Sequence, residues 1–93
     1  MQSLAELLPA LLQEHMDRPE IREEMVKIAW KQCVGQKIRA ASTPFSFENG
    51  ILVVEVSHSQ WKSILASMKD EIVGKINRYL GKAFLKDLKI RVV

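Results

Sequence analysis

Asn49-Gly50 sits between two runs in which apolar residues alternate, Phe45-Ser46-Phe47-Glu48 before it and Ile51-Leu52-Val53-Val54-Glu55-Val56 after it. The pair is the preferred filling of a type I′ turn, whose central positions both need a positive φ that Asn and Gly tolerate. A two-residue turn dictates register, setting Glu48 opposite Ile51, Phe47 opposite Leu52 and Phe45 opposite Val54. Phe45, Phe47, Leu52, Val54 and Val56 then share one face of a hairpin. An isolated hairpin is at best marginally stable in water, so the rest of the chain must cover that face.

The cover available is helical. From Pro19 onward, Ile21, Met25, Ile28, Ala29 and Cys33 fall on one helix face, widened by Val26, Trp30 and Val34. Glu20, Glu23 and Glu24 occupy the opening turns, where the helix dipole favours acids. Gly35 is expected as a C-cap or a close-packing point, and residues 36–41 as a helical extension. After the hairpin, Ser57 or Ser59 is placed to cap one long helix that Gly81 ends. Its apolar face carries Trp61, Ile64, Leu65, Met68, Ile72, Ile76, Tyr79 and Leu80. The stretch Leu88-Lys89-Ile90-Arg91-Val92 alternates again, as a strand with Leu88, Ile90 and Val92 inward. Ahead of these elements, Ser3 to Glu14 reads as a helix. Ser3 and Glu6 form its capping box, Leu4, Leu7, Leu8, Leu11 and Leu12 its stripe, and Pro9 interrupts it.

The expected order is therefore α-α-β-β-α-β. It describes an α+β domain with a three-stranded sheet, helices on one face, and a last strand returning beside the hairpin by a right-handed crossover. The 93 residues are expected to form a single domain, with an N-terminal helical segment over 1–18 and a core over 19–93.

Signals for chemistry are nearly absent. His15 and His58 lie in different elements with no cysteine or paired carboxylate nearby, and each reads as a loop or surface residue. There is no nucleophile elbow, phosphate-binding loop or dinucleotide fingerprint. The single cysteine, Cys33, excludes an internal disulfide and reads as a small buried helix residue. Trp30 and Trp61 both fall within apolar stripes and read as core. No metal or cofactor is expected. Without a signal peptide or a long apolar run, a cytoplasmic location is expected.

Charge is unevenly distributed: residues 1–24 carry a net −4, whereas residues 25–93 carry a net +7. Lys75, Arg78 and Lys82 share a stripe at the end of the long helix, and Lys86, Lys89 and Arg91 follow, forming the candidate nucleic-acid-binding set. Lys27 and Lys31, continued by Lys37 and Arg39, form a second basic run. Ile51 and Val53 should point away from the helices onto the open sheet face. With the acidic turn Glu20, Glu23 and Glu24, they are the candidate partner-binding residues.

Several residues at ordered separations carry a family resemblance: Trp30-x-x-x-Val34-Gly35, Pro44, Asn49-Gly50-x-Leu52-x-Val54-x-Val56, Ser59-x-Trp61-x-x-x-Leu65, Ile76-Asn77-x-x-Leu80-Gly81 and Ile90-Arg91. This set resembles the DciA family over roughly residues 20–93. The resemblance implies a KH-like fold, association with the hexameric bacterial replicative DNA helicase, help in loading it, and affinity for single-stranded DNA. Gly35-Gln36-Lys37-Ile38 does not form the G-x-x-G clamp of KH domains. Two other readings fit the same residues: an RNA-binding KH-like module using the basic stripe, and a protein adaptor using the open sheet face alone.

Overall fold

A computed structural model describes residues 18–93. The expected helix over residues 3–14 lies outside these residues. The described elements are α1 (Pro19–Cys33), α2 (Gln36–Ala41), β1 (Ser42–Glu48), β2 (Ile51–Val56), α3 (Ser59–Ser67), α4 (Lys69–Leu80) and β3 (Asp87–Val92). The sheet order is β1-β2-β3, with β1 and β2 antiparallel and β2 and β3 parallel. Four helices around a three-stranded mixed sheet make this the α+β domain expected.

Pro19 opens α1, where a missing N–H costs nothing and a preset φ helps, and Glu20 lies in the first turn. Met25, Val26, Ala29 and Trp30 are its buried residues, whereas Ile28, expected inward, is 40% exposed. At the far end Arg39 reaches back from α2, its Nη1 donating to the Lys31 carbonyl at 3.1 Å. Gly35 is neither a left-handed cap nor a close-packing point. Its φ is −67°, it precedes α2 as N-cap, and a Cβ there would meet nothing within 4 Å.

The turn forms as expected, with Asn49 at φ 55° and Gly50 at φ 81°. Glu48 pairs with Ile51, Phe47 with Leu52 and Ser46 with Val53. There the predicted register stops, because a bulge between Pro44 and Ser46 places Pro44, not Phe45, opposite Val54. Pro44 is buried in the position expected for Phe45, while Phe45 is turned out and 50% exposed. Half-exposing a phenylalanine forgoes roughly 1 kcal/mol of burial. The inserted residue re-aims the side chain, as bulges do.

β3 enters the sheet at the turn, where Lys86 N–H donates to the Gly50 carbonyl at 2.7 Å. Its register with β2 runs from Ile51 opposite Asp87 to Val56 opposite Val92. Leu52, Val54, Val56 and Leu88 are buried on the face that the helices cover, and Val92, expected inward, is 43% exposed.

The single helix expected over 59–80 is two helices. At Met68 the backbone leaves the helical region (φ −100°, ψ 4°) and its N–H is shared between the Ile64 and Leu65 carbonyls at 3.2 Å each. Ser67 Oγ donates to the Ile64 carbonyl at 2.7 Å, a local bond that competes with the helix ladder. A straight helix of that length would measure ~33 Å, against strands of ~20 Å. Breaking the helix allows α3 to pack on β2 and β3 and α4 to pack on α1 and β3. His58, not a serine, is the N-cap of α3, and it makes no side-chain capping bond. Ile64, expected on the apolar face, is 43% exposed. Gly81, at φ 77°, ends α4 in the left-handed cap expected of it.

Trp30 is fully buried, and its indole N–H donates to Ser42 Oγ at 3.1 Å, which in turn donates to the Ile38 carbonyl at 2.6 Å. This relay ties α1, α2 and the start of β1 together. Trp61 is only half-buried at the rim of the same core.

Candidate functional site

The sheet separates the candidate nucleic-acid residues. Lys75 and Arg78 lie on α4 and Lys82 just beyond it, all exposed on the helical side. Lys89 and Arg91 alternate with the inward residues of β3 and so face the side of the sheet that none of the described helices covers, the open side among the described residues. Lys86 lies at the boundary, its aliphatic stem packed over Gly50 so closely that a Cβ on the glycine would come within 2.9 Å of Lys86 Cδ.

Among these cations, commitments differ. Lys75 pairs with Glu71 one turn earlier at 3.5 Å. Arg91 pairs with Glu55 on β2 and also lies over the Phe45 ring, 4.5 Å from its centroid. Arg78, Lys82 and Lys89 have no carboxylate partner among the described residues. With Lys86, whose ammonium is likewise without one, four of the six cations remain for an anion without breaking an ion pair, and of these Arg78 and Lys82 share the helical side.

The candidate partner residues divide in the same way. Ile51, 39% exposed, and Val53 belong to the open sheet face. Glu20, Glu23 and Glu24 belong to α1, which is on the other side, and Glu23 is already paired with Lys27 at 3.0 Å. Lys69 reaches Asp87 at 2.9 Å. Its ammonium bond and the Leu88 N–H hold the Asp87 carboxyl below the usual range, while the same pairing raises Lys69.

Sequence reasoning missed two features. One is Phe45 on the open face, for which the only local hint was Pro44, a residue that cannot complete a regular ladder. The other is a groove of about 560 Å³ lined by Pro19, Arg22, Phe47, Gly50, Phe84 and Lys86. There the Arg22 guanidinium lies 4.4 Å from the Phe84 ring centroid. Cys33 is half-buried, with Sγ 3.8 Å from the Lys75 carbonyl; burial raises its thiol pKa and the Lys75 charge opposes the rise. Among the described residues no group of three or more His, Cys, Asp or Glu could hold a metal ion, and no helix is long and apolar enough to cross a membrane.

Fold and surface define a class: a small mixed-sheet α+β domain whose exposed cations and exposed apolar residues lie on both sides of the sheet, with Arg78 and Lys82 on the helical side and Lys89, Phe45 and Ile51 on the other. Within that class the chain belongs to the DciA family, matching the family described as "Dna[CI] antecedent, DciA" over residues 3–90. It is also 30% identical over 89 residues to a UPF0232 protein of Rhodococcus jostii (strain RHA1), covering 96% of this chain and 47% of that one. UPF0232 proteins of Mycobacterium ulcerans (strain Agy99) and Mycobacterium marinum (strain ATCC BAA-535 / M) are 30% and 29% identical over 70 residues, each match covering 75% of this chain and 37% of the relative. The chain thus spans less than half the length of the curated relatives it matches.

Proposed function

We infer that this domain serves bacterial DNA replication by binding the hexameric replicative helicase and single-stranded DNA, assisting helicase loading without hydrolysing ATP. The observation that carries this reading is the family match over residues 3–90, whose description names an antecedent of Dna[CI]. The exposed cations of the helical side support the DNA half of it. Arg78 and Lys82, with Lys75 once it leaves Glu71, offer a short phosphate-tracking stripe; Lys86, Lys89 and Arg91 extend it only for a strand that crosses the edge of the sheet.

A KH-type grip is not the mode proposed. That grip needs a G-x-x-G loop, which neither Gly35-Gln36-Lys37-Ile38 at the junction of α1 and α2 nor the single residue Met68 between α3 and α4 supplies. Affinity then comes from surface charge and is strongly salt-dependent. Three phosphates neutralised on a single strand correspond to a slope of log affinity against log salt of roughly −2. Without a motor, loading assistance must come from preferring the helicase conformation that admits DNA. A tenfold preference is worth about 1.4 kcal/mol.

The test is loading of purified helicase onto a DNA circle lacking ends, with and without this protein, alongside single-stranded DNA and RNA titrations. Increased loading and a salt-dependent DNA affinity are expected. No change in loaded helicase, together with no complex at micromolar concentrations, rejects the reading, and a clear preference for RNA moves the domain to RNA metabolism.

A further inference from the structure

Surface cations grip a nucleic-acid strand only through its phosphates, yet a single strand also exposes the faces of its bases. Those faces stack on aromatic rings. The chain has three Phe, two Trp and one Tyr, and they can be sorted by what each already does. Trp30 and Phe47 are buried. The Phe45 ring lies under Arg91 and the Phe84 ring under Arg22. Trp61 belongs to α3, whose one cation, Lys62, is its immediate neighbour and therefore points off its face of the helix. Tyr79 is left, and it lies within the cationic stretch of α4.

Its setting is unlike that of the others. Lys75 stands one turn earlier on the same face, Arg78 precedes it in the last turn, and Lys82 follows the Gly81 cap. All three cations are exposed, whereas Tyr79 is partly buried against the core. A buried aromatic normally finds a partner for its polar atom, as the Trp30 indole finds Ser42. The Tyr79 hydroxyl has no such partner among the described residues, and it is not a buried polar atom. Its polar end therefore reaches the surface among the cations while the body of the ring is anchored.

We propose that Tyr79 is the base-stacking residue of the single-stranded DNA site. Arg78 and Lys82 hold the phosphates flanking the stacked base, joined by Lys75 once it leaves Glu71. That pair is more than half exposed on the Lys75 side and on the Glu71 side, so it opens at little cost. The proposal rests on the DNA half of the reading above and adds a preference that charge does not supply. In a duplex the base faces are already stacked on one another, and its phosphates are denser than those of a single strand. A site of cations alone thus binds duplex at least as well. A site with a ring among the cations favours the single strand. The anchored ring also has little freedom to lose on stacking.

The experiment measures affinity for a fluorescent single-stranded oligonucleotide and for an abasic strand of the same length, which keeps the phosphates and lacks the bases. The unmodified protein should bind the base-bearing strand at least fivefold more tightly. Tyr79→Leu should lose that preference, with its affinity for the abasic strand within twofold and its salt slope unchanged. Tyr79→Phe, which keeps the ring, should keep the preference. Arg78→Gln should weaken binding to both strands alike and flatten the salt slope by roughly 0.7. A strand carrying bromodeoxyuridine, photo-crosslinked to the unmodified protein, should join at Tyr79. Equal affinity of the unmodified protein for the two strands, or crosslinks at other residues only, overturns the proposal and leaves the DNA reading standing. So does a folded Tyr79→Leu that keeps the full preference. If the unmodified protein binds neither strand, the DNA reading falls and the proposal with it.

Discussion

Asn77 on α4 grips the backbone of Leu85 at both ends of its amide: its Nδ2 donates to the Leu85 carbonyl and its Oδ1 accepts from the Leu85 N–H, each at 2.8 Å. Leu85 is only 2% exposed, so this clasp satisfies two polar groups that the core would otherwise leave short of partners. It also delivers the chain to β3 in register with β2.

Asn77→Ala should therefore cost about 2 kcal/mol, the price of stranding one buried donor and one buried acceptor. Asn77→Asp should also destabilise, because a carboxylate still accepts from the Leu85 N–H but faces the Leu85 carbonyl without a donor. Urea midpoints check both, and an unshifted midpoint for Asn77→Ala would show that solvent replaces the clasp.

The two tryptophans should separate sharply. Trp30 is fully buried and bonded to Ser42 Oγ, so Trp30→Ala should cost ~3–5 kcal/mol. That is a large part of the roughly 5–15 kcal/mol a domain of this size can have. Trp61, half-buried, should cost about half as much. Equal losses in denaturant unfolding would contradict this ordering.

Stability on the acid side should depend on Asp87. Its carboxyl is held low in the folded state, chiefly by the Lys69 ammonium and then by the Leu88 N–H, so its contribution is present above the ordinary carboxylate range. That contribution is lost as pH falls through the depressed folded value. Lys69, raised chiefly by its bond to Asp87, contributes below the ordinary lysine range and loses that contribution as pH rises through its raised value. Both side chains are substantially exposed, so the effect is small and screened by salt. Melting temperatures from pH 7 to 3 should fall less steeply for Asp87→Asn than for the unmodified protein. The difference should shrink at about 0.5 M salt.

Gly50→Ala should cost about 1–2 kcal/mol, since it combines φ +81° with a contact at 2.9 Å to the Lys86 stem. Gly35→Ala, at an ordinary φ and in open space, should stay within about 0.5 kcal/mol. Thermal melts of the pair are a direct comparison, and similar losses would mean the turn glycine is not needed for its backbone.

What could be read from sequence was local. The Asn49-Gly50 turn, the Pro19 start and the Gly81 stop each depend on a few neighbouring residues, and each stands; β3 forms as well, with Leu88 inward but Val92 exposed. The break at Met68 was hidden because Leu65, Met68, Ile72 and Ile76 keep helical spacing straight through it, although Ser67 with Asp70 and Glu71 beyond it resembles a helix start. Phe45 was misread because Phe45-Ser46-Phe47 alternates without flaw; the extra residue shows only when β1 is laid against β2. The basic positions were recognisable as surface. That Arg78 and Arg91 face opposite sides is a matter of topology, which no spacing along the chain reveals.

The bulge has a further consequence for how this molecule meets copies of itself. Among the described residues β1 is an outer strand of the sheet, with no strand beyond it, and such a side is a potential template for another chain. Pro44 offers no N–H, and one residue later the ladder steps out of phase. An incoming strand would lose its bonds at two successive positions in the middle of a seven-residue strand. The residue that turns Phe45 out of the core thus also guards the rim of the sheet against self-association.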